Sequence, residues 1–137
     1  MKHFRACILV ACLLAPAALA GGLEKGSISA TETGKFQPAE KRVVALAFMA
    51  AVHNWLRRYE PELVGRDDYH VKMQLNYDYP FDVDLTVNAD SYDVKVSLGT
   101  KRMTRTDSST VQKDADKLAH GIRAHIEDEL ERSGRVK

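Results

Sequence analysis

Cysteine is scarce in this chain of 137 residues: there are two, Cys7 and Cys12, both close to the N-terminus. Nothing downstream can therefore build a disulfide framework, a thiol nucleophile or a thiolate metal site. An excess of one charge is lacking too, since 20 Lys plus Arg stand against 19 Asp plus Glu, a formal net charge of +1. A nucleic-acid binder that works by gross positive charge needs a surplus of cations, so that class is excluded. Eight glycines and four prolines are too few for a collagen-like or low-complexity chain. Beyond the N-terminal segment no apolar run reaches the ~18 residues that a membrane-spanning helix needs. The nucleophile elbow, the phosphate-binding glycine loop, the zinc-protease helix and the dinucleotide fingerprint are all missing. No catalytic residue, metal ligand set or cofactor is expected.

The N-terminal segment has a purpose of its own. Lys2, His3 and Arg5 form a basic head, an apolar run follows from Ala6 to Ala15, and Ala17-Ala18-Leu19-Ala20 closes it ahead of Gly21. That pattern predicts a secretory signal over residues 1–20, cleaved after Ala20, and hence export to a periplasmic location. A rival reading starts from Leu9-Val10-Ala11-Cys12, which has the small-residue-then-Cys form of a lipoprotein signal and would anchor the chain through Cys12. It leaves only a short apolar stretch ahead of the cut. On either reading, no cysteine follows Cys12 to staple the mature domain. Residues 21–37 mix glycine, hydroxyls and charge without a sustained period, which predicts a flexible tether. One domain is expected over 38–134, with 135–137 as a disordered tail.

Within that domain two periods alternate. Pro38 suits a first helical position, and Val44, Phe48, Ala51, Val52, Trp55 and Tyr59 recur at three- and four-residue steps until Pro61, so a helix is expected over about 38–59. Three stretches of strict alternation follow, Tyr69 to Tyr79, Phe81 to Ala89 and Tyr92 to Leu98. Period two over three successive segments predicts an antiparallel meander with one apolar face and one wet face. Parity fixes the turns, because residues paired across strands must share a face. The first hairpin needs an odd loop near Asp78-Tyr79-Pro80; the second needs an even one, Ala89-Asp90, which sets Thr86 opposite Asp93 and Asp84 opposite Lys95. Val111, Ala115, Leu118, Ile122, Ile126 and Leu130 then form a narrow helical stripe ended by Ser133-Gly134, and Ser109 with Gln112 has the spacing of a capping box. The predicted fold is a two-layer α+β sandwich of helix, three-stranded meander and helix, αβββα, with both helices on one face of the sheet.

Two groups of residues invite a functional reading. Every residue from Val43 to Val52 is apolar, a stripe too wide for a helix with one covered side. Either that helix is wedged between sheet and second helix, with its alanines allowing close approach, or Val43, Leu46, Ala47, Phe48, Met49, Ala50 and Trp55 make a partner interface. The second group is the wet face of the sheet, carrying His70, Lys72, Gln74, Asp82, Asp84 and Lys95. Facing acids there lack the cleft that would desolvate them for catalysis, so a solvated polar face is the plainer account. His120 and His125 are five apart on one helix and diverge, while His125 with Glu129, or Asp116 with His120, supplies only half a metal site.

Export, small size and missing catalytic motifs together predict a non-catalytic envelope protein that binds another macromolecule. It would serve as an accessory subunit of an envelope assembly or as an inhibitor or immunity-type protein, its partner another envelope protein or a second copy, met through the first helix or a strand edge. The alternative is a small exported hydrolase or metal binder using His53, His70, His120 or His125 with nearby acids.

Overall fold

The computed structural model describes residues 23–24, 27–77, 79–99, 102–103 and 108–132. The expected signal over 1–20 with Cys12, and the expected tail 135–137, lie outside the described residues. In chain order the elements are β1 (Leu23–Glu24), β2 (Ser29–Lys35), a 3-10 turn (Pro38–Glu40), α1 (Val44–Trp55), a second 3-10 turn (Arg57–Tyr59), β3 (Glu62–Arg66), β4 (His70–Asn76), β5 (Pro80–Val87), β6 (Ser91–Leu98), β7 (Arg102–Met103) and α2 (Ser108–Leu130). Five strands make one antiparallel sheet in the order β2-β6-β5-β4-β3, and β1 pairs separately with β7.

The α+β class stands, but the three-stranded αβββα arrangement is corrected to this five-stranded sheet. The meander of β4, β5 and β6 sits at its centre, and the strands that flank it carry no apolar alternation. β2, where the sequence reads a tether, offers only Ala30, Glu32 and Gly34 on its more buried side. β3 is exposed along its whole length, so nothing in its side chains marks a buried face. Both strands are held by main-chain pairing to neighbours that do have strong patterns, and the hydrophobic period cannot report that.

Where the period is strong, the register follows from it. Asn76 pairs with Pro80 across a three-residue loop. Thr86 pairs with Asp93 and Asp84 with Lys95, and the Asn88 N–H donates to the Ser91 carbonyl at 2.7 Å around Ala89-Asp90. Val71, Met73, Leu75, Phe81, Val83, Leu85, Tyr92, Val94, Val96 and Leu98 are all buried beneath the helices.

Those helices form the second layer. α2 lies along β2 and β6, and α1 packs against α2 and reaches β5. Val111, Ala115, Leu118, Ile122, Ile126 and Leu130, the predicted stripe, are buried from end to end of α2. Gln112 donates its side-chain amide to the Ser29 carbonyl at 2.9 Å, a tie from α2 to β2. The first helix is shorter than its apolar period suggests. Regular helix covers Val44–Trp55, with a 3-10 turn on either side, and Glu60 at φ 50° turns the chain out ahead of Pro61.

Two glycines allow close approach, Gly34 between neighbouring strands of the sheet and Gly121 between the two helices. A Cβ on Gly34 would lie 2.3 Å from the buried Tyr92 ring, and one on Gly121 would lie 2.1 Å from the indole of Trp55. Neither ring can swing clear, since Tyr92 is buried with its hydroxyl donating to Glu127 at 2.6 Å and Trp55 is stacked on His125. Gly34→Ala and Gly121→Ala are each expected to lower stability by about 1–3 kcal/mol, the usual cost of overpacking. Gly65 has open space where its Cβ would go, so Gly65→Ala in β3 should leave the urea midpoint unchanged or slightly raised.

Candidate functional site

The six residues expected on the wet face do meet there. Pairing places Lys72, Asp84 and Lys95 in one row across β4, β5 and β6, with Gln74, Asp82 and Ser97 in the next and His70 opposite Thr86 beyond. A cationic residue on each side of Asp84 gives that carboxylate an electrostatic partner on both neighbouring strands. Asp82 is the exception on an otherwise wet surface, with only 4% of its area exposed. Gln74 Nε2 donates to its Oδ1 at 3.2 Å and Lys72 Nζ lies 3.7 Å from its Oδ2. Gly99 makes room for it, because a Cβ there would approach Asp82 Oδ1 to 2.9 Å. Asp82 is thus engaged with an amide and an ammonium group of the same face, and Asp84 stands between two cationic residues. The arrangement holds the strands in register and leaves no acid poised opposite another across a cleft.

Two carboxylates on and beside this face titrate away from the ordinary value of 3.8. Asp84 is raised, chiefly because the strands around it remove water from the charged form, with Lys72 and Lys95 opposing and Asp82 adding repulsion. Asp67, in the turn between β3 and β4, is lowered, chiefly by the N–H of Tyr69 and further by the N–H of His70, each donating at 2.8 Å.

The histidines do not converge. His53 is exposed on α1, His70 lies 3.7 Å from Asp67, and His120 lies 3.5 Å from Glu32. His125 stacks on Trp55 with ring centroids 4.6 Å apart and has Nδ1 2.7 Å from the Gly121 carbonyl. Among the described residues, no three His, Cys, Asp or Glu side chains gather as a metal site requires. No described helix is long and apolar enough to cross a membrane.

The residues expected to form an interface on the first helix are divided between surface and core. Phe48 is fully buried and Ala47 nearly so, which places both in the core; with Ala45 and Ala51 they let α1 sit close beneath its neighbours. Val43, Met49, Ala50 and Trp55 are half-buried, and only Leu46, at 52%, is open to solvent. The wide stripe is thus mostly accounted for by two-sided burial, the wedged reading of that helix.

Two exposed apolar side chains on β3 were not singled out by the pattern, and Tyr69, which the alternation placed on the apolar face, is exposed as well. Leu63 and Val64 on β3 and Tyr69 in the turn after it are each about half exposed. Among the described residues β3 pairs with β4 alone, and it carries a bulge between Leu63 and Gly65. Only the dipeptide Leu63-Val64 between charged residues hinted at it, and two residues are too short a run to establish a period.

Phe48→Asp should unfold the domain, because an unpaired carboxylate in the core costs more than about 4 kcal/mol. Leu46→Asp should leave the thermal midpoint nearly unchanged. The pH dependence has opposite signs at the two shifted acids. The stabilising contribution of Asp84 is present below 3.8 and lost as pH rises through its raised value, so Asp84→Asn should increase stability at pH 7. That of Asp67 is present above 3.8 and lost as pH falls through its lowered value. Carboxyl NMR titration checks both, with midpoints expected above 3.8 for Asp84 and below it for Asp67.

No family model matches the chain, and no curated protein matches it in sequence. Among solved structures, one described as the crystal structure of Ara h 8.0201 aligns with 76% of this chain and 97% of its own, at 15% identity and a TM-score of 0.38. A likeness this slight carries no argument about fold or function.

Proposed function

We propose that the chain is an exported, non-catalytic protein that binds another polypeptide in extended form along the β3 edge of its sheet, as an accessory subunit of an envelope assembly or as an inhibitor. The observation that carries this reading is the state of β3 itself. All five of its residues are exposed, it has one strand neighbour among the described residues, and it presents Leu63 and Val64 to solvent. The opposite edge, β2, is roofed by α2 and offers no side chain larger than Ala30 for an apolar contact. A polypeptide strand is the ligand class that satisfies the outward main-chain groups of an edge while filling alternate apolar positions.

The charges narrow the partner's chemistry. Glu62 and Arg66 bracket the apolar pair, so an incoming antiparallel strand fits best with a cation opposite Glu62 and an anion opposite Arg66. The bulge and the two charges also discourage indiscriminate pairing, which is how natural edges keep selectivity. An enzymatic reading gains nothing from the open polar face or from the scattered histidines.

The test is a double substitution, Leu63→Lys with Val64→Lys, on surface residues whose loss leaves the core untouched. Wild-type protein is expected to retain a polypeptide from envelope extract that cross-links to residues 62–66, or to self-associate by light scattering, and the variant to lose this at least tenfold with its thermal midpoint intact. Equal retention by the folded variant, or cross-links confined to other surfaces, would overturn the proposal.

A further inference from the structure

A second feature, on the helix-facing side of the β3–β4 turn, points to a small ligand. A cleft of about 670 Å³ opens between the start of α1 and that turn, within the range of small-molecule sites. Lys41 and Arg42 line it from the segment entering α1, Arg66 from the end of β3, and Asp67, Asp68 and Tyr69 from the turn. Three cations thus come from two separate parts of the chain to one concave surface. Like charges brought together in this way repel, and proteins ordinarily relieve the repulsion with carboxylates.

Here they do not. Among the described residues, no carboxylate lies within ion-pair distance of Lys41, Arg42 or Arg66. Glu40, beside Lys41, accepts the Gln37 N–H at 2.6 Å, and Asp67, beside Arg66, has its Oδ1 occupied by the N–H groups of Tyr69 and His70 and faces the imidazole of His70. The Asp67 charge serves to close the turn. Lys41 Nζ is held 5.0 Å above the Tyr69 ring, which keeps the ammonium at the cleft and gives the site one flat aromatic wall.

We infer that this cleft binds a phosphate-bearing small molecule, with Arg42 and Arg66 taking the phosphate oxygens, Lys41 adding a third positive charge and Tyr69 lining the organic part. Guanidinium forks match tetrahedral oxyanions through paired N–H donors, and a cleft of this volume has room for more than the phosphate alone. The inference shares Arg66 with the β3 edge but does not require a polypeptide bound there. Its test alters Lys41 and Arg42, which lie outside that strand.

Inorganic phosphate, glycerol 3-phosphate and vesicles of phosphatidylglycerol are each titrated into the protein while the Tyr69 ring and arginine Nε–H signals are followed by NMR. Phosphatidylcholine vesicles and sodium chloride serve as controls. Saturable shifts with inorganic phosphate, tighter with glycerol 3-phosphate, and at least tenfold weaker in the double variant Lys41→Ala with Arg42→Ala are expected. Saturation by phosphatidylglycerol vesicles but not by glycerol 3-phosphate would assign the same phosphate chemistry to a lipid headgroup. The control variant Arg57→Ala with Arg58→Ala, on the second 3-10 turn, should bind as wild type. Shifts that grow linearly, that chloride reproduces, or that persist unchanged in the Lys41/Arg42 variant would overturn the inference.

Discussion

The structure depends on how closely α2 can lie on β6 and β2. Tyr92 fills the space between those layers only because Gly34 on the neighbouring strand has no side chain to meet it, and its hydroxyl is then carried to Glu127 on the helix. Beside it, Glu32 reaches from β2 to Arg123 at 2.9 Å, while Gln112 holds the start of the same strand. A strand with almost no apolar surface is secured by main-chain pairing on one edge and by polar ties to the helix above. The burial of the sheet's other apolar residues follows from that seating, since α1 takes its place by packing against α2.

The sheet's two faces carry different loads. Its inner face is covered by both helices and supplies the core, while its outer face is a network of charges in which Lys72 and Lys95 stand on either side of Asp84 and Gln74 and Lys72 satisfy Asp82. That network is built from contacts within the face itself. The features left open lie around the β3–β4 hairpin: a strand edge with exposed apolar side chains, and beside it a cleft in which, among the described residues, three cations gather outside ion-pair distance of any carboxylate. Recognition of other molecules concentrates on parts of a fold that the core does not consume, and here those parts adjoin one hairpin.

Much of the centre of the fold was legible in the sequence because it is written in side chains. The alternation of Val71, Met73 and Leu75 and of Val83 and Leu85, and the turn parity that sets Asp84 against Lys95, required no more than a period of two. The outer strands were not legible for the same physical reason. Ala30, Glu32 and Gly34 are chosen to fit beneath a helix rather than to be hydrophobic, and Leu63 and Val64 lie on a strand with no buried face. The apolar run of the first helix gave two readings, and the burial of Phe48 and Ala47 decides between them for those two positions. The cleft was invisible for another reason: Arg42 and Arg66 are 24 positions apart, and only the crossing from α1 to the far edge of the sheet brings them to one surface.

The most direct test is amide hydrogen exchange on the free protein, read strand by strand. The account predicts that amides of Ser29–Lys35 bonded to β6 are protected together with it, and that Glu62–Arg66 exchanges fastest of the five strands. A segment 29–35 that exchanges like unstructured chain, or a β3 as protected as β5 in the isolated monomer, would contradict it.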